Sequence, residues 1–147
     1  MKKILISTLF SVVYVFCAAQ SESDIFGEWF NEEKDAVVTI YKDGNSISGK
    51  TTWLKEPFDS KGNAKLDLKN PDEKLRSRKR MGLKIMHSFK YNDQENIWED
   101  GRIYDPKKGK LYGGTATLVN ENELKLKGYI ISMPFLGRTA TWTRKTN

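Results

Sequence analysis

One cysteine and one histidine stand in a chain of 147 residues. A single cysteine excludes an intramolecular disulfide framework and a multi-cysteine zinc site. A single histidine, His87, excludes a His-rich metal centre and any paired-histidine mechanism. The signatures Gly-x-Ser-x-Gly, His-Glu-x-x-His, the Walker loop and the dinucleotide-binding fingerprint are all missing. No metal or cofactor motif takes their place. Beyond the first twenty residues there is no long apolar run. What is present is ordinary globular material, 38% hydrophobic and 30% charged, which argues against a disordered chain. The length allows one domain.

Residues 1–19 read as a secretory signal peptide. Lys2 and Lys3 form the positive start, and Ile4 to Phe16 is apolar apart from Ser7, Thr8 and Ser11. Cys17-Ala18-Ala19 puts small residues before a cleavage point at Gln20. The apolar run is shorter than the ~20 residues that a bilayer-spanning helix needs. Acylation at Cys17 is disfavoured by Val15 and Phe16, which are too large for the lipoprotein-processing site. The expectation is an exported chain, periplasmic or secreted, with one domain over residues 20–147 and no transmembrane span. Cleavage removes two lysines, so the net charge falls from +6 to +4, with 23 cations against 19 acids.

The remaining chain alternates apolar and polar residues with period two, which puts successive side chains on opposite faces of a strand. Turn residues interrupt it about every ten positions. Val37 to Lys42 meets Asp43-Gly44-Asn45 and returns as Ser46 to Leu54. Leu83 to Tyr91, Ile97 to Tyr104, Lys110 to Val119, Glu123 to Ile131 and Arg138 to Arg144 follow in the same way. With a short strand at Trp29 the count is about eight, an all-β chain suited to an up-and-down barrel or a sandwich. Between Lys55 and Arg80 the alternation stops. Asn70-Pro71-Asp72-Glu73 has the pattern of a helix start, and the spacing predicts a short helix over Lys74 to Arg80. The segment is thus a long excursion from the barrel.

The ends resemble the lipocalin-like barrels, or calycins. Gly27-Glu28-Trp29 has the Gly-x-Trp form of their first strand, and Trp142-Thr143-Arg144 closes the last. That resemblance implies a closing role for Gly27, Trp29, Trp142 and Arg144, with the arginine across the first-strand tryptophan. A fuller series covers nearly the whole exported part. It runs Gly27-Glu28-Trp29, Gly49 to Leu54, Asp67 to Asp72, Met81-Gly82-Leu83, Trp98, Gly101 to Pro106, Gly109 to Tyr112, Leu124 to Tyr129 and Gly137 to Arg144. In that order these motifs resemble the bacterial family called domain of unknown function 2147. The resemblance implies an exported lipocalin-like barrel and brings no catalytic residues.

Candidate sites follow from strand faces. Leu83, Ile85, His87, Phe89 and Tyr91 share one face, expected inward. His87 there is a ligand-contacting or acid/base imidazole, or a core histidine bonded to the next strand. Trp98, Asp100, Arg102 and Tyr104 share a face of the following strand. If inward, they join His87 as apolar walls with a few polar groups, and Arg102 can hold an anionic head group. If outward, Ile97, Gly101 and Ile103 fill the interior instead. Asp59, Asp67, Asn70 and Asp72 offer oxygen ligands of the kind calcium takes, yet lack EF-hand spacing and suit turns equally well. Lys74, Arg76, Arg78, Lys79 and Arg80 form a basic run, either a solvated face or a contact for anionic surfaces. Export argues against nucleic acid as the partner.

Three functions follow in order. The first is non-catalytic binding of a small ligand or cell-envelope component within the barrel. The second is an interaction module using the basic run. The third is a small hydrolase built on His87 and an acid.

Overall fold

A computed structural model describes residues 19–146. The signal-peptide reading and Cys17 lie outside those residues, Ala19 excepted. Eight antiparallel strands form a closed barrel in sequence order. They are β1 (Gly27–Phe30), β2 (Ala36–Asp43), β3 (Ser46–Leu54), β4 (Lys84–Asn92), β5 (Ile97–Asp105), β6 (Lys110–Asn120), β7 (Glu123–Ile130) and β8 (Met133–Arg144). The turns after β2, β4 and β6 lie at one end. Those after β1, β5 and β7, with the long β3–β4 connection, lie at the other. Gly44 takes φ 61° in the first hairpin, a conformation open to glycine at no steric cost.

The first end is packed shut. A 3-10 turn over Glu22–Ile25 crosses it and buries Ile25. The Trp29 indole N–H donates to the Ile25 carbonyl at 2.9 Å, and that of Trp98 to the Glu22 carbonyl at 3.2 Å. Tyr91 lies against Trp98 and donates its hydroxyl proton to the Gln20 carbonyl at 2.8 Å. Above them Ile40, Ile47, Met86, Phe89, Ala116 and Leu124 complete a core with no solvent exposure beyond 1%. Each large side chain there contributes roughly 1.5–3 kcal/mol by leaving water.

Strict alternation fails in several places, and at two of them a non-glycine residue takes positive φ. In β4 Ser88 takes φ 58°. Met86 pairs with Gly49, and Phe89, three positions later, pairs with Ile47; both are buried. In β5 Asp100 also takes φ 58°. Trp98 pairs with Ala116 and Gly101 with Gly114, again three positions apart and both facing the core. Each bulge inserts one residue and swaps the faces beyond it. Gly101 and Gly114 leave the space that the Phe89 ring fills. A Cβ on Gly101 would lie 2.4 Å from that ring.

The excursion is present over residues 55–83, but the expected helix is one 3-10 turn, Glu73–Leu75. The cap is Asp72, whose carboxylate accepts from the Lys74 amide at 3.0 Å. Asn70 is drawn elsewhere and donates to Asp67 and Tyr104. Arg76 and Arg80 give their Nε donors to the carbonyls of Asn70 and Leu66, and Lys79 bridges to Leu66. The backbone of residues 78–80 pairs with that of residues 65–67, the Asp67 N–H donating to the Arg78 carbonyl and the Arg80 N–H to the Lys65 carbonyl at 2.9 Å each, so the helix stops after one turn. Among the described residues no helix is long and apolar enough to cross a membrane.

Candidate functional site

The second end of the barrel is hollow. A cavity of about 900 Å³ opens there. Its wall is apolar: Val38 from β2, Ile85 from β4, Ile103 from β5, Leu126 from β7, and Ala140 and Trp142 from β8. Thr51 and Tyr112 add hydroxyls. Gly128 keeps the bore wide, since a Cβ there would still be 3.8 Å from Tyr112. The alternating residues Val38/Ile40, Leu124/Leu126 and Ala140/Trp142 carry one face of their strands down from the cavity into the core.

The rim is charged. Lys107 donates to Asp35 at 2.7 Å, and Asn31 donates to the same carboxylate at 2.6 Å. Burial pushes the Asp35 carboxyl up, but these two donors outweigh it and hold its pKa below the ordinary value. Lys65 pairs with Glu56 at 3.1 Å and Lys108 with Asp105 at 3.7 Å. Glu32 accepts from the Arg138 guanidinium and, at 3.1 Å, from the Thr141 amide. It ties the β1–β2 loop to β8 beside the opening.

The residues expected on the cavity wall are mostly elsewhere. Tyr104 reaches it. His87, Trp98, Asp100 and Arg102 do not line it. Irregularities beside Ile85 and at Ser88 in β4, and at Asp100 in β5, are the cause. They split each predicted face, leaving Trp98 in the packed floor and His87 paired with Arg102 on the opposite side of the sheet from Met86 and Ile103. Burial and the Lys84 cation hold the His87 imidazole below its ordinary pKa. Asp100 is exposed and pairs with Lys90 at 3.5 Å.

Tyr104 serves the excursion. Its hydroxyl donates to Asp67 at 2.6 Å and accepts from Asn70 at 3.0 Å. Asp67 is fully buried and also accepts from Arg78 at 3.0 Å. Burial and the Asp67 carboxylate push the Tyr104 phenol up to about 12. Asp59 and Asp72 accept instead from local backbone amides. Among the described residues no group of three or more His, Cys, Asp or Glu is placed to hold a metal. Of the basic run, Arg76, Arg78 and Arg80 spend donors on acceptors within residues 66–73, while Lys74 and Lys79 are exposed.

At the closed end the Arg144 guanidinium lies 4.2 Å from the centre of the Trp29 ring. It donates to the carbonyls of Phe26 at 2.8 Å, Asp24 at 2.7 Å and Glu121. Gly27 at φ 122° leaves room for it, since a Cβ would stand 3.0 Å from Nη1. Trp142, two residues before Arg144, faces the cavity instead.

A barrel packed at one end and open at the other, with apolar walls, is lipocalin-like. Protein HP1028 from the human pathogen Helicobacter pylori, described as belonging to the lipocalin family, shares the fold with a TM-score of 0.63. The two are 20% identical over 76% of this chain and 73% of that one, a likeness in fold alone. The chain itself belongs to the family described as uncharacterized protein conserved in bacteria, DUF2147, which matches residues 27–144. Comparison with curated proteins found no match.

Proposed function

We propose that this chain is an exported, non-catalytic carrier that holds a small amphiphile in the barrel, apolar body inward and polar head at the rim. The observation that carries this reading is the cavity of about 900 Å³, walled by Val38, Ile85, Ile103, Leu126 and Trp142 and ringed by charged side chains. Ligand pockets span roughly 300–1,000 Å³ and combine apolar walls with a few polar groups. Burial of an apolar ligand there gains free energy in proportion to the area removed from water. The rim carries both signs of charge, so it suits a polar or zwitterionic head as well as a simple ion.

Native mass spectrometry of protein purified from its own envelope tests the reading. A reproducible small-molecule mass on the wild type is expected. Gly128→Leu fills the bore without a Cβ clash and should remove that mass while the melting temperature holds. A clean unliganded mass, together with no saturable binding of 1-anilinonaphthalene-8-sulfonate, would refute the carrier role.

A further inference from the structure

We propose that the tip of the β7–β8 hairpin is a docking site for an anionic lipid bilayer, which it enters with its apolar side chains. Residues 128–137 contain no charge. Within them Ile130, Ile131, Met133, Phe135 and Leu136 are all exposed, Phe135 by 80%. Exposure is continuous from Met133 to Thr139, so the tip of the hairpin is open to solvent on both faces of β8. Apolar side chains gathered at an exposed tip are costly in water unless something covers them.

Charge complementarity points to an anionic surface. From Leu124 to Asn147 the chain holds Lys125, Lys127, Arg138, Arg144 and Lys145 and no acid. Lys127 and Arg138 sit on neighbouring ladder positions just behind the tip, opposite Thr139 and Gly128. Arg138 is paired with Glu32, whereas Lys125 and Lys127 make no ion pair among the described residues. An uncharged tip with an aromatic residue, backed by cations, is the pattern of an element that sits at a membrane interface.

The backbone argues against a second copy as the occupant. Tyr129 pairs with Gly137 and Ile130 with Met133, so Pro134, Phe135 and Leu136 bulge out of the ladder. Proline lacks an N–H, and a bulge twists the edge away, which together oppose strand pairing at the tip. Leu136 and Ile130 also line the cavity mouth, so the docked face and the opening are continuous. The docking itself stands whether or not the cavity holds a ligand.

Vesicle co-sedimentation tests it, with the purified chain carrying its natural N-terminus and vesicles of phosphatidylcholine with and without phosphatidylglycerol. The wild type should partition onto the anionic vesicles. Phe135→Asp combined with Ile131→Asp should weaken this at least about tenfold. Lys125→Glu with Lys127→Glu should weaken it about fivefold or more, and high salt should do the same. All four side chains are exposed, so circular dichroism and melting temperature should match the wild type. Any contribution from the N-terminus is common to all variants. Binding that survives the aspartate pair overturns the proposal, as does no binding by the wild type. A wild-type dimer that the aspartates convert to monomer, seen by sedimentation without vesicles, assigns the tip to self-association and overturns it too.

Discussion

Arg144 joins three separate pieces of chain with one planar group. It covers Trp29 and reaches carbonyls of the N-terminal turn and of the β6–β7 turn. Lysine keeps the charge but has neither the fork nor the flat face. Arg144→Ala should therefore cost about 2–4 kcal/mol in urea unfolding, and Arg144→Lys should recover less than half of that. A lysine variant as stable as the wild type would show that charge alone matters. A second single atom decides the middle of the core. Gly101→Ala places a methyl 2.4 Å from the fully buried Phe89 ring. Overpacking of this kind costs typically 1–3 kcal/mol, and about 3 is expected here because the ring also contacts Gly114. Adding Phe89→Leu should be less damaging in the Gly101→Ala background than in the wild type. Additive losses in the four-protein cycle would mean that the ring and the methyl do not meet.

At the scale of elements, the excursion is held by a buried carboxylate rather than by an apolar face. Asp67 takes hydrogen bonds from Tyr104, Asn70 and Arg78, and Lys69 packs so closely on the β5–β6 turn that a Cβ on Gly109 would strike its carbonyl. Asp67→Ala leaves three donors without their acceptor and should cost about 2–4 kcal/mol, with faster proteolysis over residues 55–83. Tyr104 adds a pH dependence. Its phenol has a folded pKa of about 12 against an ordinary 10.0, so folding favours the protonated form. That contribution is complete below about pH 10 and is lost as pH rises through about 12. Tyr104→Phe has no such proton, so the stability difference between wild type and variant should narrow across that window. Parallel urea-midpoint profiles would remove Tyr104 from the account. Elements also set how much was legible. Seven of the strands could be placed to within a residue or two because alternation and Gly/Asn/Asp turns mark them, as at Asp43-Gly44-Asn45. β8 begins five residues earlier than Arg138 because Met133 and Pro134 belong to the strand and not to the turn. The site was less legible. Ser88 and Asp100 take positive φ without the glycine that would announce it, so the faces of β4 and β5 were assigned through bulges that leave no periodic trace. The inward positions of β2, β7 and β8 that reach the cavity keep the period of two over Val38/Ile40, Leu124/Leu126 and Ala140/Trp142. Their lining residues Val38, Leu126, Ala140 and Trp142 could have been picked from it.

For the molecule as a whole, the weak place is the seam. β8 pairs along β7 from Glu123 to Ile130, but with β1 only at Trp29↔Arg144 and Phe30↔Thr143. β1 is four residues long and cannot follow β8 towards the mouth. Above Thr143 the barrel is held across that gap by Glu32, which accepts from the Thr141 amide and the Arg138 guanidinium. A single carboxylate in place of a ladder makes this side the natural place for the mouth to widen, since few bonds break when it does. The pair is exposed, and an exposed ion pair contributes only about 0.2–1 kcal/mol. Global stability should therefore hardly notice Glu32→Ala, with a change below about 1 kcal/mol in urea. Local opening should notice it clearly, because sub-global opening has its own free energy well below the global one. Exchange of the Thr141 amide, which donates to Glu32, should rise several-fold while the β7–β8 ladder, with Leu124, Leu126 and Ala140, stays protected. Glu32→Gln, which keeps an acceptor for Thr141 but loses the charge, should fall between the two. Uniform acceleration across all eight strands would place the opening in global unfolding, and the seam would then have no separate motion.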